Sequence, residues 1–291
     1  MRSSSNSGIG ERETDCSQTD QPECNLGHCP NKLFVVGLGP GNPDHLSKRA
    51  CDVLEAVDTV AGYTTYLNLI QPLIKGKKII SSAMTQEVDR VEAAIEEALS
   101  GKSCAIVSSG DSGIYAMAGL VLEICAIRGI PILKPDTRAA IHPQTLQVEI
   151  VPGIPAVCAG ASLLGAPLTH DFACISLSDL LTPWEVIEKR LNAAALADFV
   201  IVLYNPKSKR RSTQLERAQQ IILKHRDKNT QVGIVTSAMR EEQEIGLTTL
   251  EHLHSVSVTM LTTVFIGNSS TFEYQGLMIT PRGYSKKYDI R

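Results

Sequence analysis

Apolar and polar positions along this chain follow a pattern that predicts β-strands alternating with amphipathic helices. Short apolar runs predict strands at 33–36, 58–62, 79–80, 104–108, 148–151, 199–204, 231–236 and 261–266. Between these runs, apolar residues recur at helical spacing and predict helices at 44–56, 85–99, 114–128, 156–162, 183–197 and 212–226. Strands that alternate with helices are typical of layered α/β proteins, so we expect an α/β fold with two such domains.

The polarity of the chain sets the expected domain limits. Residues 1–31 are rich in polar residues and almost lack apolar ones, which predicts a disordered tail. Residues 131–147 contain three prolines and mixed polarity, which indicates that the first sheet closes there. We therefore expect an N-terminal α/β domain at 32–147 and a C-terminal α/β domain at 148–291.

Composition argues against several classes of partner. The formal net charge is −3 and the pI is about 6.2, so the chain lacks the basic field that attracts nucleic acid. No apolar run approaches the roughly 20 residues needed to span a bilayer, and the polar N-terminus lacks the apolar core of a signal peptide. We expect a cytoplasmic protein with neither a nucleic-acid nor a membrane partner.

Eight cysteines raise the question of a metal site. Five lie inside apolar segments, where cysteine is usually a small buried hydrophobe. Cys16, Cys24 and Cys29 lie in the polar tail beside His28, but their spacing matches no ligand pattern. We predict free thiols and no metal site, while a metal or iron–sulfur centre in the tail stays the alternative.

Three glycine-rich turns, each directly after a predicted strand, are the strongest functional feature. They are 37–42 (GLGPGN), 109–113 (SGDSG) and 152–155 (PGIP). Small molecules bind to α/β proteins beyond the carboxyl ends of the strands. We therefore expect one ligand that is held by all three turns.

The first turn argues against a ligand that contains phosphate. Pro40 has no backbone N–H to donate, and Asn42 stands where the dinucleotide fingerprint has its third glycine. No glycine turn continues into G-K-[ST], and the strand at 58–62 ends without an acidic residue for a ribose. Asp111 either caps the following helix or accepts hydrogen bonds from a ligand. The second interpretation suits S-adenosylmethionine, which has an amino-acid tail, a ribose and an adenine but no phosphate.

These turns and several other stretches resemble the tetrapyrrole methylases. The likeness rests on 37–46 (GLGPGNPDHL), 109–119 (SGDSGIYAMAG) and 151–154 (VPGI), and it spans residues 32–284. Four further stretches narrow the likeness to one branch of the family, which methylates carbon 17 of precorrin-3B or cobalt-factor III in cobalamin biosynthesis. These stretches are 167–172 (PLTHDF), 175–184 (ISLSDLLTPW), 203–206 (LYNP) and 276–284 (GLMITPRGY).

The resemblance implies two α/β domains of the tetrapyrrole methylase type, with the active site in the cleft between them, and a homodimer. It implies transfer of the methyl group of S-adenosylmethionine to a tetrapyrrole (precorrin) substrate, with ring contraction and loss of carbon 20. The cofactor-binding residues that it implies are Pro40, Ser109, Gly110, Asp111, Ile114, Pro155, Ala156, Asn205 and Ala238.

Departures from the family leave the acid–base residue open. Tyr63 stands where uroporphyrinogen methylases carry an acidic catalytic residue, and Asn205 stands where some relatives have Met. Ring contraction needs proton movement at a macrocycle hydroxyl, for which Tyr63, His170 and Asp171 are the candidates. Alternatively, His170 and Asp171 form local bonds to the backbone, and Tyr63 is an aromatic residue at the boundary with water.

Other functions stay open on the residues alone. A methylase that acts on another corrin-pathway tetrapyrrole would share the glycine turns. A ribosomal-RNA or protein methylase needs a basic cleft, which the pI disfavours, and Pro40 disfavours a nicotinamide oxidoreductase. A tetrapyrrole-binding module without catalysis is the non-enzyme alternative.

Overall fold

The computed structural model describes residues 31–83, 85–134, 143–208 and 210–290. Its first half contains β1 (Lys32–Gly37), α1 (Lys48–Ala56), β2 (Thr59–Tyr63), α2 (Thr64–Leu69), β3 (Lys78–Ser82), α3 (Glu87–Leu99), β4 (Ser103–Ser108), α4 (Met117–Arg128), β5 (Ile132–Leu133) and β6 (Leu146–Val151). The strands form one parallel sheet in the order β3-β2-β4-β1-β6-β5. A parallel sheet with helical crossovers confirms the predicted α/β class.

The central strand β1 shows why this half is layered. Leu33 and Val35 belong to the core that α3 and α4 complete, whereas Phe34 and Val36 pack with residues of α1 and α2. Successive side chains of a strand point to opposite faces, so an uninterrupted apolar run calls for helices on both sides of the sheet. Because β1 lies between β4 and β6, the loops after these three parallel strands come to one edge of the sheet.

The second half contains α5 (Ala156–Leu164), β7 (Gly165–Ala166), β8 (Phe172–Ser176), α6 (Trp184–Leu196), β9 (Val200–Tyr204), α7 (Gln214–Leu223), β10 (Gln231–Thr236), β11 (Glu244–Thr249), β12 (Thr262–Ile266), β13 (Phe272–Tyr274) and β14 (Leu277–Ile279). Five strands form a mixed sheet in the order β11-β10-β12-β9-β8, and β13, β14 and β7 form a small separate sheet. Since β9 and β10 both run antiparallel to β12 between them, their carboxyl ends lie at the same edge.

Helices cover both faces of the larger second sheet. Residues of α6 and α7 share a core with one face, and α5 packs on the other. Gly160 of α5 lies against the ring of Phe265, where an added Cβ atom would come within 2.7 Å of the ring. The small residues of α5 therefore permit close helix–sheet packing. In the part of the chain that the structure describes, no helix combines the length and apolar character that a membrane crossing requires.

The structure corrects the expected domain limits at both ends of the first half. The strand predicted at 148–151 as the start of the second domain is the end of β6, which pairs with β1 in the first sheet. Because β6 (Leu146–Val151) belongs to the first sheet, the limit between the halves lies at 152–155. Asn31, assigned to the tail, is buried and donates to the carbonyl oxygen of Pro143 at 2.8 Å. The rest of the predicted tail lies outside the described residues, and the division into two folding domains stays a prediction.

Candidate active site

The three glycine turns meet at one point of the structure. The first and second turns exchange backbone hydrogen bonds between Gly39 and Gly110, at 3.0 and 2.7 Å. A Cβ atom on Gly153 of the third turn would lie 2.7 Å from the Gly37 carbonyl oxygen and would clash with that of Gly110. The contact follows from the strand order, because β4, β1 and β6 are neighbours that end at the same edge.

Asp111 ties the second turn to the third. Its Oδ1 atom accepts a hydrogen bond from the Gly113 N–H at 2.8 Å, and its Oδ2 atom accepts one from the Gly153 N–H at 3.1 Å. Because α4 begins only at Met117, Asp111 is not the N-terminal cap of that helix. The carboxylate instead orders the wall of the site by holding two turns together.

The backbone donors nearest the end of β1 are already in use. The N–H groups of Leu38 and Gly39 donate to the carbonyl oxygens of Ser108 and Gly110 at 2.9 and 3.0 Å, and Pro40 has no N–H. A pyrophosphate would need such donors to be free. This turn therefore fits a ligand without phosphate groups.

Two loops of the second half close the site from the other side. Asn205 follows β9, and its Nδ2 atom donates to Ser176 Oγ at 2.9 Å. After β10, Arg240 donates from Nε to the Pro40 carbonyl oxygen at 2.6 Å and from Nη2 to Ser109 Oγ at 2.9 Å. Arg240 thus joins the two halves where the first and second glycine turns meet.

A cavity of about 180 Å³ lies between these loops. All nine residues that the resemblance implies for the cofactor line it: Pro40, Ser109, Gly110, Asp111, Ile114, Pro155, Ala156, Asn205 and Ala238. They lie in or directly after the three glycine turns and in two loops of the second half, and the structure brings every one of them together. Their contact with a ligand stays a prediction.

Sequence reasoning missed the aromatic and cationic residues of this cavity. Tyr66, Tyr115, Tyr204 and Arg240 line it beside the nine. The rings of Tyr115 and Tyr204 lie 5.2 Å apart between centroids, and the Tyr204 hydroxyl accepts a hydrogen bond from the Val157 N–H at 2.8 Å. Burial raises the pKa of the Tyr204 hydroxyl, which keeps it neutral. A tyrosine at the end of a buried strand was the available signal.

Three residues of the cavity wall have an unusual backbone conformation. Tyr115, Asn205 and Ser237 have φ angles of 52°, 52° and 51°, in the left-handed region that favours glycine. All three residues line the cavity. Strained residues of this kind cluster at ligand-binding sites, where the surrounding structure enforces a geometry. The strain therefore supports the same site independently of the family likeness.

Tyr63 lies beside this cavity rather than in its wall. It lines an adjoining cavity of about 250 Å³, which shares Tyr66, Ser109 and Tyr115 with the first. The rings of Tyr63 and Tyr66 meet edge to face, 5.3 Å apart between centroids. Tyr63 therefore stays a candidate for proton transfer to a ligand that spans both cavities.

His170 and Asp171 lie at the opposite end of the second sheet. The Asp171 carbonyl oxygen accepts a hydrogen bond from the N–H of Val200, the first residue of β9. Asn205 of the site follows Tyr204, the last residue of the same strand. Five strand residues span roughly 16 Å. The Nδ1 atom of His170 accepts a hydrogen bond from the Asp171 N–H at 2.8 Å, which is the local bond of the alternative interpretation. The structure does not bring this pair to the site, so we no longer assign it a catalytic role.

The cysteines give no metal centre in the described part of the chain. Within residues 31–83, 85–134, 143–208 and 210–290, no group of three or more His, Cys, Asp or Glu residues could hold a metal ion. Cys16, Cys24 and Cys29 lie outside these ranges. Burial raises the pKa of the Cys104 thiol to about 12, whereas Cys158, which we expected to be buried, is exposed on α5.

Known proteins resemble this chain over most of its length. The family Tetrapyrrole (Corrin/Porphyrin) Methylases matches residues 32–254. The cobalt-factor III methyltransferase of Priestia megaterium is 49% identical over 259 residues, 89% of this chain, and the chain spans 46% of that relative's length. The probable cobalt-factor III C(17)-methyltransferase of Salmonella typhimurium is 46% identical over 255 residues, which are 87% of this chain and 99% of that relative.

A solved structure agrees with these relatives in fold. The crystal structure of the methyltransferase CobJ superimposes with a TM-score of 0.76 at 32% identity, over 86% of this chain and 100% of that one. The match to the family therefore covers both halves of the chain and the loops that form the cavity. The chain belongs to the tetrapyrrole (corrin/porphyrin) methylases.

Proposed function

We propose that this chain transfers the methyl group of S-adenosylmethionine to carbon 17 of precorrin-3B or cobalt-factor III, with ring contraction, in cobalamin biosynthesis. The observation that carries the proposal is the cavity where the three glycine turns meet the loops after β9 and β10. The 46% identity to the Salmonella relative across 99% of its length supports the reaction for which that relative is named.

The residues of the cavity fit S-adenosylmethionine by their chemistry. When bound, this donor supplies an electrophilic methyl group on a cationic sulfonium whose leaving group is a neutral thioether. Pro40, Ala156 and Ala238 offer small apolar surfaces, while Asp111 and Asn205 carry the polar groups that suit an amino-acid tail and a ribose. The Asp111 carboxylate also places a negative charge beside a cationic ligand.

The contribution of the chain's own residues is mainly alignment and the exclusion of water, because such a leaving group needs no further activation. The backbone contacts among Gly37, Gly110 and Gly153 fix one wall of the cavity, and Arg240 holds the second half against it. Tyr63 would donate or accept the proton at the macrocycle hydroxyl during ring contraction.

The reaction is tested by incubating the protein with S-adenosylmethionine and, separately, with precorrin-3B and cobalt-factor III. We expect mass spectrometry to show one added methyl group on at least one of these tetrapyrroles. Comparison of methyl transfer to the metal-free precorrin-3B and to the cobalt-bearing cobalt-factor III also shows whether the enzyme requires cobalt in its substrate. Methyl transfer to neither tetrapyrrole would contradict the proposal, and a methyl group placed by NMR at another carbon would favour a different corrin-pathway methylase.

The homodimer implied by the resemblance and a cytoplasmic location complete the proposal. The chain mass is 31.5 kDa, so we expect sedimentation equilibrium to give about twice that value. A mass equal to one chain would contradict the dimer without affecting the proposed reaction.

A further inference from the structure

The adjoining cavity contains a buried cation without a carboxylate partner. Arg90 in the first turn of α3 is 4% exposed. Its Nε atom donates to Ser82 Oγ at 2.8 Å, and its Nη2 atom donates to the Ala83 carbonyl oxygen at 3.2 Å. Among the residues that the structure describes, no ion pair within 4.0 Å joins Arg90 to an acid. Buried charges are normally paired, because an unpaired one is costly.

The surroundings of Arg90 increase this cost. The N-terminal turn of a helix is the positive end of its dipole and disfavours a cation, and burial lowers the pKa of the Arg90 guanidinium. The Glu87 carboxylate lines the same cavity, and its charge raises the pKa of Arg90 but does not outweigh burial. Its Oε1 atom accepts from the Thr85 N–H at 3.2 Å. An anion bound in the cavity would stabilise the guanidinium.

A second polar group in the same cavity lacks a partner. Ser108, the last residue of β4, is 5% exposed, and its Oγ atom has no hydrogen-bond partner among the residues that the structure describes. It lines the cavity together with Arg90, Tyr63 and Tyr66. The Arg90 guanidinium and the hydroxyl groups of Ser108 and Tyr66 form a donor set that suits a carboxylate.

We propose that Arg90, Ser108 and Tyr66 form a subsite for a carboxylate of the tetrapyrrole substrate, beside Tyr63. The inference rests on the proposed function, because the acetate and propionate side chains of the macrocycle supply the anion. The cavity that contains this subsite shares Tyr66, Ser109 and Tyr115 with the predicted donor cavity, so a carboxylate held here would place the edge of the macrocycle beside the methyl donor.

S-adenosylmethionine also carries a carboxylate and is the competing source of the anion. The nine residues expected to contact this donor all line the first cavity, and of these nine only Ser109 also lines the second. The observations therefore favour a carboxylate of the macrocycle. If the macrocycle supplies the anion, a substitution of Arg90 weakens tetrapyrrole binding; if S-adenosylmethionine supplies it, the substitution weakens donor binding.

The test measures two dissociation constants for each variant. S-adenosylmethionine is titrated by calorimetry, and cobalt-factor III or precorrin-3B by absorbance in the presence of S-adenosylhomocysteine. We expect Arg90→Gln to weaken tetrapyrrole binding at least about tenfold and to leave donor binding unchanged. Arg90→Lys keeps the charge but loses the planar guanidinium, so its affinity for the tetrapyrrole should lie between those of the wild type and Arg90→Gln.

Ser108→Ala tests the subsite without disturbing the bonds that Arg90 makes to the protein. The Ser108 hydroxyl has no partner to lose, so the variant should fold with wild-type stability and bind the tetrapyrrole several-fold more weakly. The matched control is Arg128→Gln, which removes a surface cation that is paired with Glu92 outside the cavity. It should change neither dissociation constant.

Folded Arg90→Gln and Ser108→Ala proteins with wild-type tetrapyrrole affinity would overturn the subsite. If Arg90→Gln fails to fold, the tetrapyrrole affinity of Ser108→Ala alone decides whether the subsite exists. A loss of donor affinity without loss of tetrapyrrole affinity would assign the anion to S-adenosylmethionine and overturn the proposal as well. These outcomes differ from failure of the proposed function, in which the wild-type protein itself binds and methylates neither tetrapyrrole.

Discussion

At the scale of single residues, the tightest constraint is the space between backbones at Gly153. An added Cβ atom would lie 2.7 Å from the Gly37 carbonyl oxygen and would clash with the Gly110 carbonyl oxygen. We expect Gly153→Ala to displace the third turn, to lower the free energy of unfolding by about 2 kcal/mol, and to abolish donor binding. Thermal unfolding and calorimetric titration with S-adenosylmethionine measure the two effects.

Gly119→Ala is the matched control for this substitution. Gly119 lies in α4, and a Cβ atom built on it would meet no other described part of the chain within 4 Å, its own helix backbone and chain neighbours aside. Alanine is favoured over glycine in a helix by roughly 1 kcal/mol, so this variant should be more stable and should bind the donor as before. Wild-type donor affinity in Gly153→Ala would show that the meeting of the turns does not form the site.

Asp111 gives a second prediction at this scale. Its carboxylate accepts two backbone hydrogen bonds and also faces the cavity. We expect Asp111→Ala to weaken donor binding at least about tenfold and to lower the free energy of unfolding by about 1–2 kcal/mol. Asp111→Asn keeps an acceptor oxygen without the charge, so it should preserve most of the stability but not the affinity. Equal donor affinity in all three proteins would exclude Asp111 from the site.

The sequence was informative about residues whose role depends on a strand end. The nine cofactor residues could be named because the likeness to the tetrapyrrole methylases implies them, and each lies in or beside a motif that follows a strand. Arg90, Tyr66 and Arg240 carry no such local pattern. Arg240 reaches Pro40 from 200 positions away, and only the packing of the two halves brings them together.

At the scale of secondary structure, a polar network at the end of α6 gives a pH-dependent prediction. Buried Arg226 donates to the Ala195 and Phe199 carbonyl oxygens at 3.1 and 2.8 Å and pairs with Asp198. Burial alone would raise the pKa of Asp198, but hydrogen bonds from Ser269 and the Arg226 charge outweigh it and hold that pKa below 3.8. The stabilisation is therefore present above pH 3.8 and is lost as the pH falls below it.

We expect Asp198→Asn to lower the free energy of unfolding at pH 7 and to reduce the loss of stability between pH 5 and pH 3. Urea unfolding at several pH values measures both. The control is Asp171→Asn, which removes the same charge from a side chain that is 73% exposed. This control should change neither stability nor methyl transfer, and a loss of methyl transfer in it would return Asp171 to the catalytic residues. If the free energy of unfolding of Asp198→Asn depends on pH as in the wild type, the stabilising role of this network would be contradicted.

Two of the strands that the sequence pattern did not predict, β11 and β13, have little buried surface. Every residue of β11 is exposed or half-buried, and β13 is three exposed residues long, so neither shows the alternation that predicts a strand. The strand at 148–151 was recognised but assigned to the wrong half. Its apolar pattern shows that it is buried in a sheet without showing which sheet, because parallel partners lie far apart in the sequence.

At the scale of the whole molecule, the site exists only where the two halves meet. Arg240 bonds to the first and second turns from the loop after β10. We expect Arg240→Ala to weaken donor binding by about tenfold without loss of either core. Arg240→Lys should also bind weakly, because a single ammonium group cannot replace two directed bonds. Calorimetry measures the affinities, and unchanged values would show that this contact does not hold the cleft.

The cleft and nine residues of its wall could be anticipated from the family likeness, and the rest of its lining could not. The glycine turns indicate one ligand at one sheet edge, yet they do not show that a second sheet contributes Asn205 and Ala238 to the same cavity. Nor does any local pattern show that a neighbouring cavity contains a buried guanidinium. The contribution of the second sheet to the first cavity and the burial of the guanidinium in the neighbouring one depend on how the chain packs in three dimensions.

The most direct measurement is a crystal structure of the protein with S-adenosylhomocysteine, the product left after methyl transfer. We predict that this molecule lies in the cavity between the halves, in contact with Pro40, Asp111, Pro155, Asn205 and Ala238. Its sulfur should face the adjoining cavity that contains Tyr63 and Arg90. A structure in which the ligand binds elsewhere, or in which the crystals exclude it at saturating concentration, would contradict the assignment of this cavity to the methyl donor.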